Sequence, residues 1–271
     1  MASRSPTISS DPLAGCFTDW RSAAHTALIP YITAGYPKPE ATAELLSALA
    51  DAGADIIELG VPFSDPVADG PTIQRSSQRA LEHGITLDWT LAALSDFRQH
   101  YDTPVVIFTY LNPIIAHGAE RFIADAVDAG AQAVLVTDLA LGADPDLENT
   151  LEASPLALVR LLAPTTARAR ALEIARRTQG FLYYVARLGV TGARESLRAE
   201  LLQELRALRA EVDVPIAVGF GISNEAQARN VAEAADGIVV GSALIDALDR
   251  GGVTEASSLI ARMRKALDER G

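Results

Sequence analysis

The stretch Asp51–Leu59, DAGADIIEL, sets the reading of the whole chain. An Ala-rich segment ends at a glycine, and a short apolar run follows at once. The pattern returns at Asp128–Val136 (DAGAQAVLV) and at Glu233–Val240 (EAADGIVV). Each copy reads as a helix end, a tight turn and a strand. Working outward, the short apolar runs Leu28–Ile32, Ile56–Leu59, Val105–Thr109, Ala133–Val136, Leu156–Leu161, Phe181–Val185, Ile216–Val218 and Gly237–Val240 are predicted strands. They are nearly continuous in apolar residues, as strands covered on both faces must be. Amphipathic helical segments lie between them, for example Pro39–Ala52, Arg121–Ala129, Ala167–Thr178, Leu197–Glu211 and Asn224–Ala234. Pro39 opens one helix, Gly53 and Gly130 close two, and Asn224 caps another. Eight strands, each followed by helical sequence, predict an α/β fold of the single (β/α)8 TIM-barrel type. An open doubly wound sheet shares the alternation. No composition break marks a second domain, so residues 1–16 are expected as a loose N-terminal extension and residues 17–271 as the barrel.

Composition narrows the class. Of 271 residues, 49% are hydrophobic, enough for a large buried core, and the formal net charge is −12. That charge argues against a nucleic-acid or anionic-membrane partner and requires that any anionic substrate be held by a local, preorganised site. A single cysteine, Cys16, makes no internal disulfide. Four scattered histidines show no metal-ligand spacing, so no metal is expected. The polar start lacks the apolar core of a signal peptide, and no run reaches the roughly 20 apolar residues of a membrane span. A cytoplasmic location is the expectation.

In a barrel of this kind, chemistry sits at the C-terminal ends of the strands. Glu58 interrupts the run Ile56-Ile57-Glu58-Leu59, and a carboxylate there is costly unless paired or functional. The loop after it, dense in Gly, Pro and Asp, carries Asp65 and Asp69. Two carboxylates near one pocket divide roles: burial raises Glu58 from about 4.3 toward neutrality as a proton carrier, while a loop aspartate stays ionised. Asp69 is the better fixed anion, and Asp65 competes with it on spacing alone. At the other end of the chain, Gly189–Gly192, Gly219–Ser223 and Gly241–Ala243 are glycine turns between strand and helix. Glycine lets backbone N–H groups approach an anion, and a helix start adds a favourable dipole. The last two fall in the loops where barrels hold phosphate, with Ser242–Leu248 as the short extra helix after strand 8. No Walker-type motif implies a nucleoside triphosphate.

The segment Gly53–Gln74, GADIIELGVPFSDPVADGPTIQ, resembles the signature of the tryptophan synthase alpha subunit family. The likeness continues through PYITAGYP (Pro30–Pro37), VVIFTYLNPI (Val105–Ile114), VLVTDL (Val134–Leu139), LAPTT (Leu162–Thr166), GVTGAR (Gly189–Arg194) and VGFGIS (Val218–Ser223). The long ELGVPFSDP…ADGP string is the specific part; several phosphate-binding barrels share GFGIS and GSA.

The resemblance implies retro-aldol cleavage of indole-3-glycerol phosphate to indole and glyceraldehyde 3-phosphate. It implies Glu58 as the catalytic acid/base, Asp69 as the group that holds the indole N–H, Tyr183 as a lining residue of the active site, Phe220 beside the indole, and Gly192, Gly221, Gly241 and Ser242 as phosphate binders. It also implies an α2β2 complex with a beta subunit that carries pyridoxal phosphate, with no cofactor in this chain. Asn112-Pro113-Ile114 resembles the family's partner-contact loop. Ala186, where serine is common, and Leu188, where a small polar residue is common, depart from the pattern. Rival expectations are an isomerase of phosphorylated sugars on the same fold, a subunit that mainly activates a partner, and a lyase that works without one.

Overall fold

The computed structural model describes residues 11–186, 194–219 and 221–269. Eight parallel strands close into a barrel: β1 (Ala27–Thr33), β2 (Ile57–Gly60), β3 (Val105–Thr109), β4 (Ala133–Val136), β5 (Ala157–Leu162), β6 (Leu182–Val185), β7 (Ile216–Gly219) and β8 (Gly237–Val240). Closure is made by β1 against β8, with Leu28 opposite Ile238 and Pro30 opposite Val240. Every strand falls on its predicted run, and no boundary moves by more than one residue. The open doubly wound sheet is excluded, because β1 and β8 pair.

The helices wrap the outside: α1 (Ala14–Ser22), α2 (Ala41–Asp51), α3 (Pro71–Glu82), α4 (Leu87–Arg98), α5 (Leu111–His117), α6 (Ala119–Asp128), α7 (Pro145–Glu152), α8 (Arg168–Arg176), α9 (Arg194–Arg209), α10 (Glu225–Val231) and α11 (Ser242–Asp268). Local sequence explains their ends. Asn224 accepts from the Gln227 N–H at the start of α10, and Pro71 and Pro145 take the first helical positions of α3 and α7, where a missing N–H is harmless. Gly53 and Gly130 follow α2 and α6 with φ of 92° and 86°, the left-handed conformation that glycine alone adopts freely. The expected short helix at Ser242 forms and then breaks at Gly251 and Gly252, beyond which α11 runs on to Asp268 and buries Leu259, Ile260 and Met263.

The start of the chain needs a correction. Residues 11–16 are not loose: α1 begins at Ala14, and Leu13 and Phe17 are 0% and 1% exposed. They belong to the interior cluster that includes Ile29, Ile56, Val106, Leu135, Val159, Phe181 and Val239, and they plug the N-terminal mouth of the barrel. Burying each such side chain contributes about 2 kcal/mol, which a polar tail does not offer.

The recurring turn that announced the fold has a structural role. Just before each even-numbered strand stands Asp55, Gln132, Gln179 or Asp236. Their N–H groups donate to the carbonyls of Leu28, Val105, Leu158 and Ile216 on the preceding odd-numbered strands. Their side-chain oxygens accept from the N–H groups of those same residues, at 2.7, 2.8, 2.9 and 2.9 Å. Four two-point clamps therefore tie β1 to β2, β3 to β4, β5 to β6 and β7 to β8 at the lower end.

Candidate active site

A cavity of about 200 Å³ opens at the C-terminal ends of the strands. Glu58 lines it from β2, opposite Tyr31 of β1 and Val106 of β3. Strand alternation sets its direction, since Ile56, two residues earlier, lies in the barrel interior. Glu58 is 0% exposed, and neither carboxylate oxygen has a hydrogen-bond partner among the described residues. Burial pushes the carboxyl group up to about 8, so it holds its proton at neutral pH. An unpartnered buried acid is a stability cost, and such arrangements concentrate where protons are moved.

Asp69 lines the same cavity from the loop after β2. The Tyr110 hydroxyl donates to its Oδ2 at 3.0 Å and accepts from the Ala68 N–H at 3.1 Å, which fixes the loop over the mouth. Phe63 stacks on Tyr110 with centroids 5.0 Å apart. Burial raises the Asp69 carboxyl to about 6 against the lowering effect of the Tyr110 hydrogen bond, so it is largely ionised at neutral pH. The competitor Asp65 is exposed and does not line the cavity. The two acids thus differ: burial keeps Glu58 protonated at neutral pH and leaves Asp69 largely charged.

The opposite wall is the anion cradle. Gly221, Ile222 and Ser223 after β7 and Gly241, Ser242 and Ala243 after β8 face the same cavity. Ser242 opens α11, where the first N–H groups have no partner within the helix. Gly221 has a φ of 81°. Tyr183 is buried and lines the cavity from β6; a Cβ at Gly219 would overlap its hydroxyl. Tyr31 is set in the same way against Gly60 and packs edge-on to Phe108 at 5.0 Å.

The structure therefore brings together Glu58, Asp69, Tyr183, Gly221, Gly241 and Ser242. Gly192 and Phe220 lie outside the described residues, as do Arg187, Leu188 and the turn that starts at Gly189. Ala186 is buried at the end of β6. Tyr31, Phe108, Ile73 and Asp246 line the cavity without having been singled out from sequence. All seven residues of β1 are buried, so hydropathy could not show which face Tyr31 takes. Away from the mouth, the group with metal-ligand geometry among the described residues is Asp88, His117 and Asp125. There His117 turns Nε2 to Asp125 at 2.6 Å and Nδ1 to Asp88 at 3.4 Å, so each ring nitrogen already meets a carboxylate.

Comparison with known proteins gives the geometry a family. The profile of the family described as tryptophan synthase alpha chain matches residues 17–269. The tryptophan synthase alpha chain of Geobacter sulfurreducens is 44% identical over 257 residues, spanning 95% of this chain and 97% of the relative. The crystal structure of tryptophan synthase subunit alpha from Legionella pneumophila superposes with a TM-score of 0.87 at 36% identity, covering 96% of this chain and 99% of that one. A chain of tryptophan synthase from M. tuberculosis, in an aminoacrylate-bound form, superposes with a TM-score of 0.85 at 32% identity, covering 95% and 100%.

Proposed function

The chain belongs to the tryptophan synthase alpha chain family, and from that premise we propose that Glu58 and Asp69 carry the family's reaction in the barrel mouth. The enzyme is a carbon–carbon lyase of tryptophan biosynthesis that cleaves indole-3-glycerol phosphate to indole and glyceraldehyde 3-phosphate. The observation that carries the residue assignment is the fully buried carboxyl group of Glu58, without a hydrogen-bond partner among the described residues, in one cavity with a backbone-lined anion cradle.

The carbon–carbon bond breaks only after the indole ring accepts a proton at its substituted carbon. Protonated Glu58 supplies that proton, and positive charge develops at the ring nitrogen. Asp69, ionised, accepts the hydrogen bond from that N–H and stabilises the charge. The Glu58 carboxylate then takes the proton of the side-chain hydroxyl as the aldehyde forms and the bond to the ring breaks. One proton has entered and one has returned, so the acid is regenerated without a cofactor in this chain. Phosphate held by Gly221, Gly241 and Ser242 anchors the substrate, and Tyr183 lines the cavity that takes the ring.

The partner in this reading is a tryptophan synthase beta subunit in an α2β2 complex, with pyridoxal phosphate on the beta side. Exposed Val67 and Ile115, in segments that follow neighbouring strands β2 and β3, support a partner at this rim. No described helix is long and apolar enough to cross a membrane, and the reading places the enzyme in the cytoplasm.

The test is indole release from indole-3-glycerol phosphate by the purified chain, alone and with a beta subunit. Glu58→Gln is expected to lower turnover by about 10² to 10⁴ while glycerol 3-phosphate still binds. A Gln variant that turns over at the parent rate overturns the assignment.

A further inference from the structure

The phosphate end of the cavity has a charge problem. A phosphomonoester dianion must enter a chain of formal net charge −12. Among the described residues that line the cavity there is no lysine or arginine, and next to Gly241, Ser242 and Ala243 the lining includes a carboxylate, Asp246. Asp246 sits in the second turn of α11, on the helix whose free N–H groups form the cradle, with its side chain 47% exposed. Left alone, it repels the group that the helix start attracts.

The guanidinium of Arg75 meets that carboxylate. Its Nη2 lies 3.5 Å from Asp246 Oδ1 and 2.9 Å from Asp249 Oδ2, one turn further along α11. The Tyr36 hydroxyl also donates to Asp249, and the Thr72 hydroxyl donates to Asp246 Oδ1 at 3.5 Å. Thr72 and Arg75 both stand on α3, which starts directly after Asp69 and Gly70. The ion pair thus runs from the helix behind the indole-side acid to the helix that forms the phosphate cradle.

We propose that Arg75 is a specificity-determining residue for the phosphate group: it neutralises the acidic rim formed by Asp246 and Asp249, and so sets the affinity of the cradle for a phosphomonoester dianion. The inference rests on the phosphate reading of Gly221, Gly241 and Ser242. Arginine suits the role because it stays charged and has N–H donors to spare beyond those that the aspartates occupy. Its side chain is 52% exposed, so the effect is electrostatic, moderate and screened by salt.

The experiment measures binding of sn-glycerol 3-phosphate and of neutral indole-3-propanol to the parent chain, R75Q, D246N and R75Q/D246N, at low and high salt. R75Q is expected to weaken glycerol 3-phosphate about tenfold at low salt, and D246N to tighten it about threefold. The double variant should return to within about twofold of the parent, and indole-3-propanol should move less than about twofold throughout. In steady state the R75Q loss falls on KM for indole-3-glycerol phosphate rather than on kcat.

If the parent does not bind glycerol 3-phosphate, the phosphate reading fails and takes the inference with it. If the parent binds and a folded R75Q binds equally well, Arg75 alone is misassigned. If R75Q does not fold, D246N decides: unchanged affinity overturns the proposal. Equal losses for glycerol 3-phosphate and indole-3-propanol would show a structural role and overturn it as well.

Discussion

Two carboxylic acids are buried at opposite ends of this barrel, and the protein treats them in opposite ways. Asp236, at the lower end, has a side chain only 1% exposed. Arg21 reaches its two oxygens with Nε and Nη2 at 2.9 Å each, Arg209 adds a contact at 2.7 Å, and the Ile216 N–H donates at 2.9 Å. Burial alone would raise this carboxyl, but the Arg21 hydrogen bonds, the Ile216 N–H and the charge of Arg209 outweigh it and hold it below the ordinary range. Glu58, at the upper end, is equally buried and has no such partners among the described residues, so burial acts unopposed and its carboxyl rises to about 8. Depth does not set the protonation state; the supply of donors does. The lower end is built for stability, and the upper end leaves an acid uncompensated so that it can exchange protons.

Four substitutions bear on that contrast. The largest expected effect is the catalytic loss in Glu58→Gln, and the same variant tests the thermodynamic side. Glu58 has a higher pKa folded than unfolded, so the parent loses stability as pH rises from about 4.5 to about 8. The Gln variant lacks that slope and should exceed the parent by a few kcal/mol at pH 8.5, as read by urea unfolding, while near pH 4.5 the two should match. Equal pH dependence of parent and variant would show that Glu58 is solvated.

Asp69→Asn removes the fixed anion and should lower turnover about 10²-fold with little change in stability. A change within twofold would show that the reaction does not use the charge of Asp69. For Asp236→Ala the sign of the comparison reverses: a loss of about 3 kcal/mol of folding free energy with turnover retained. Because the folded Asp236 carboxyl is more acidic than in the unfolded chain, its contribution is present above the unfolded value of about 3.8 and disappears as pH falls through the folded one.

The smallest effect belongs to Tyr110→Phe. The parent should show a bell-shaped pH profile with limbs near 6, where Asp69 must lose its proton, and near 8, where Glu58 must keep its own. Removing the Tyr110 donor should move only the acidic limb, upward, with turnover at pH 7 down severalfold. Movement of the alkaline limb would mean that the two acids are not independent.

What the sequence revealed follows from which forces are local. The strands were legible because a run such as Ala133–Val136 must be apolar on both faces, and the helix ends because Gly53 and Gly130 mark them. Glu58 stood out as a charge in an apolar run. Spacing alone did not separate Asp69 from Asp65, because the difference depends on the Tyr110 hydroxyl, 41 residues away, which folds the loop so that one aspartate faces the mouth and the other faces solvent. Tyr31 and Phe108 escaped notice for a related reason: in a strand buried on both sides, hydropathy does not separate the barrel interior from the helix-facing side. The anchoring of α1 was missed because the apolar run Leu13–Phe17 is only five residues long and follows a polar start, and only the open lower mouth gives it a place to bury.

The four clamps at the lower end have a consequence for how activity is assembled. They mark the ring into quarters of two strands each. The acid end of the reaction, Glu58 with Asp69, belongs to the first quarter, and the cradle, Gly221 with Gly241 and Ser242, belongs to the last. The seam between those quarters is tied differently: the Ala27 N–H donates to the Asp236 carbonyl at 2.9 Å, and Arg21, ahead of β1, grips the Asp236 carboxylate in place of a turn side chain on a strand N–H. Neither end of the polypeptide holds a complete site, so turnover begins only when its first and last parts meet, and indole release reports directly on whether the ring has shut.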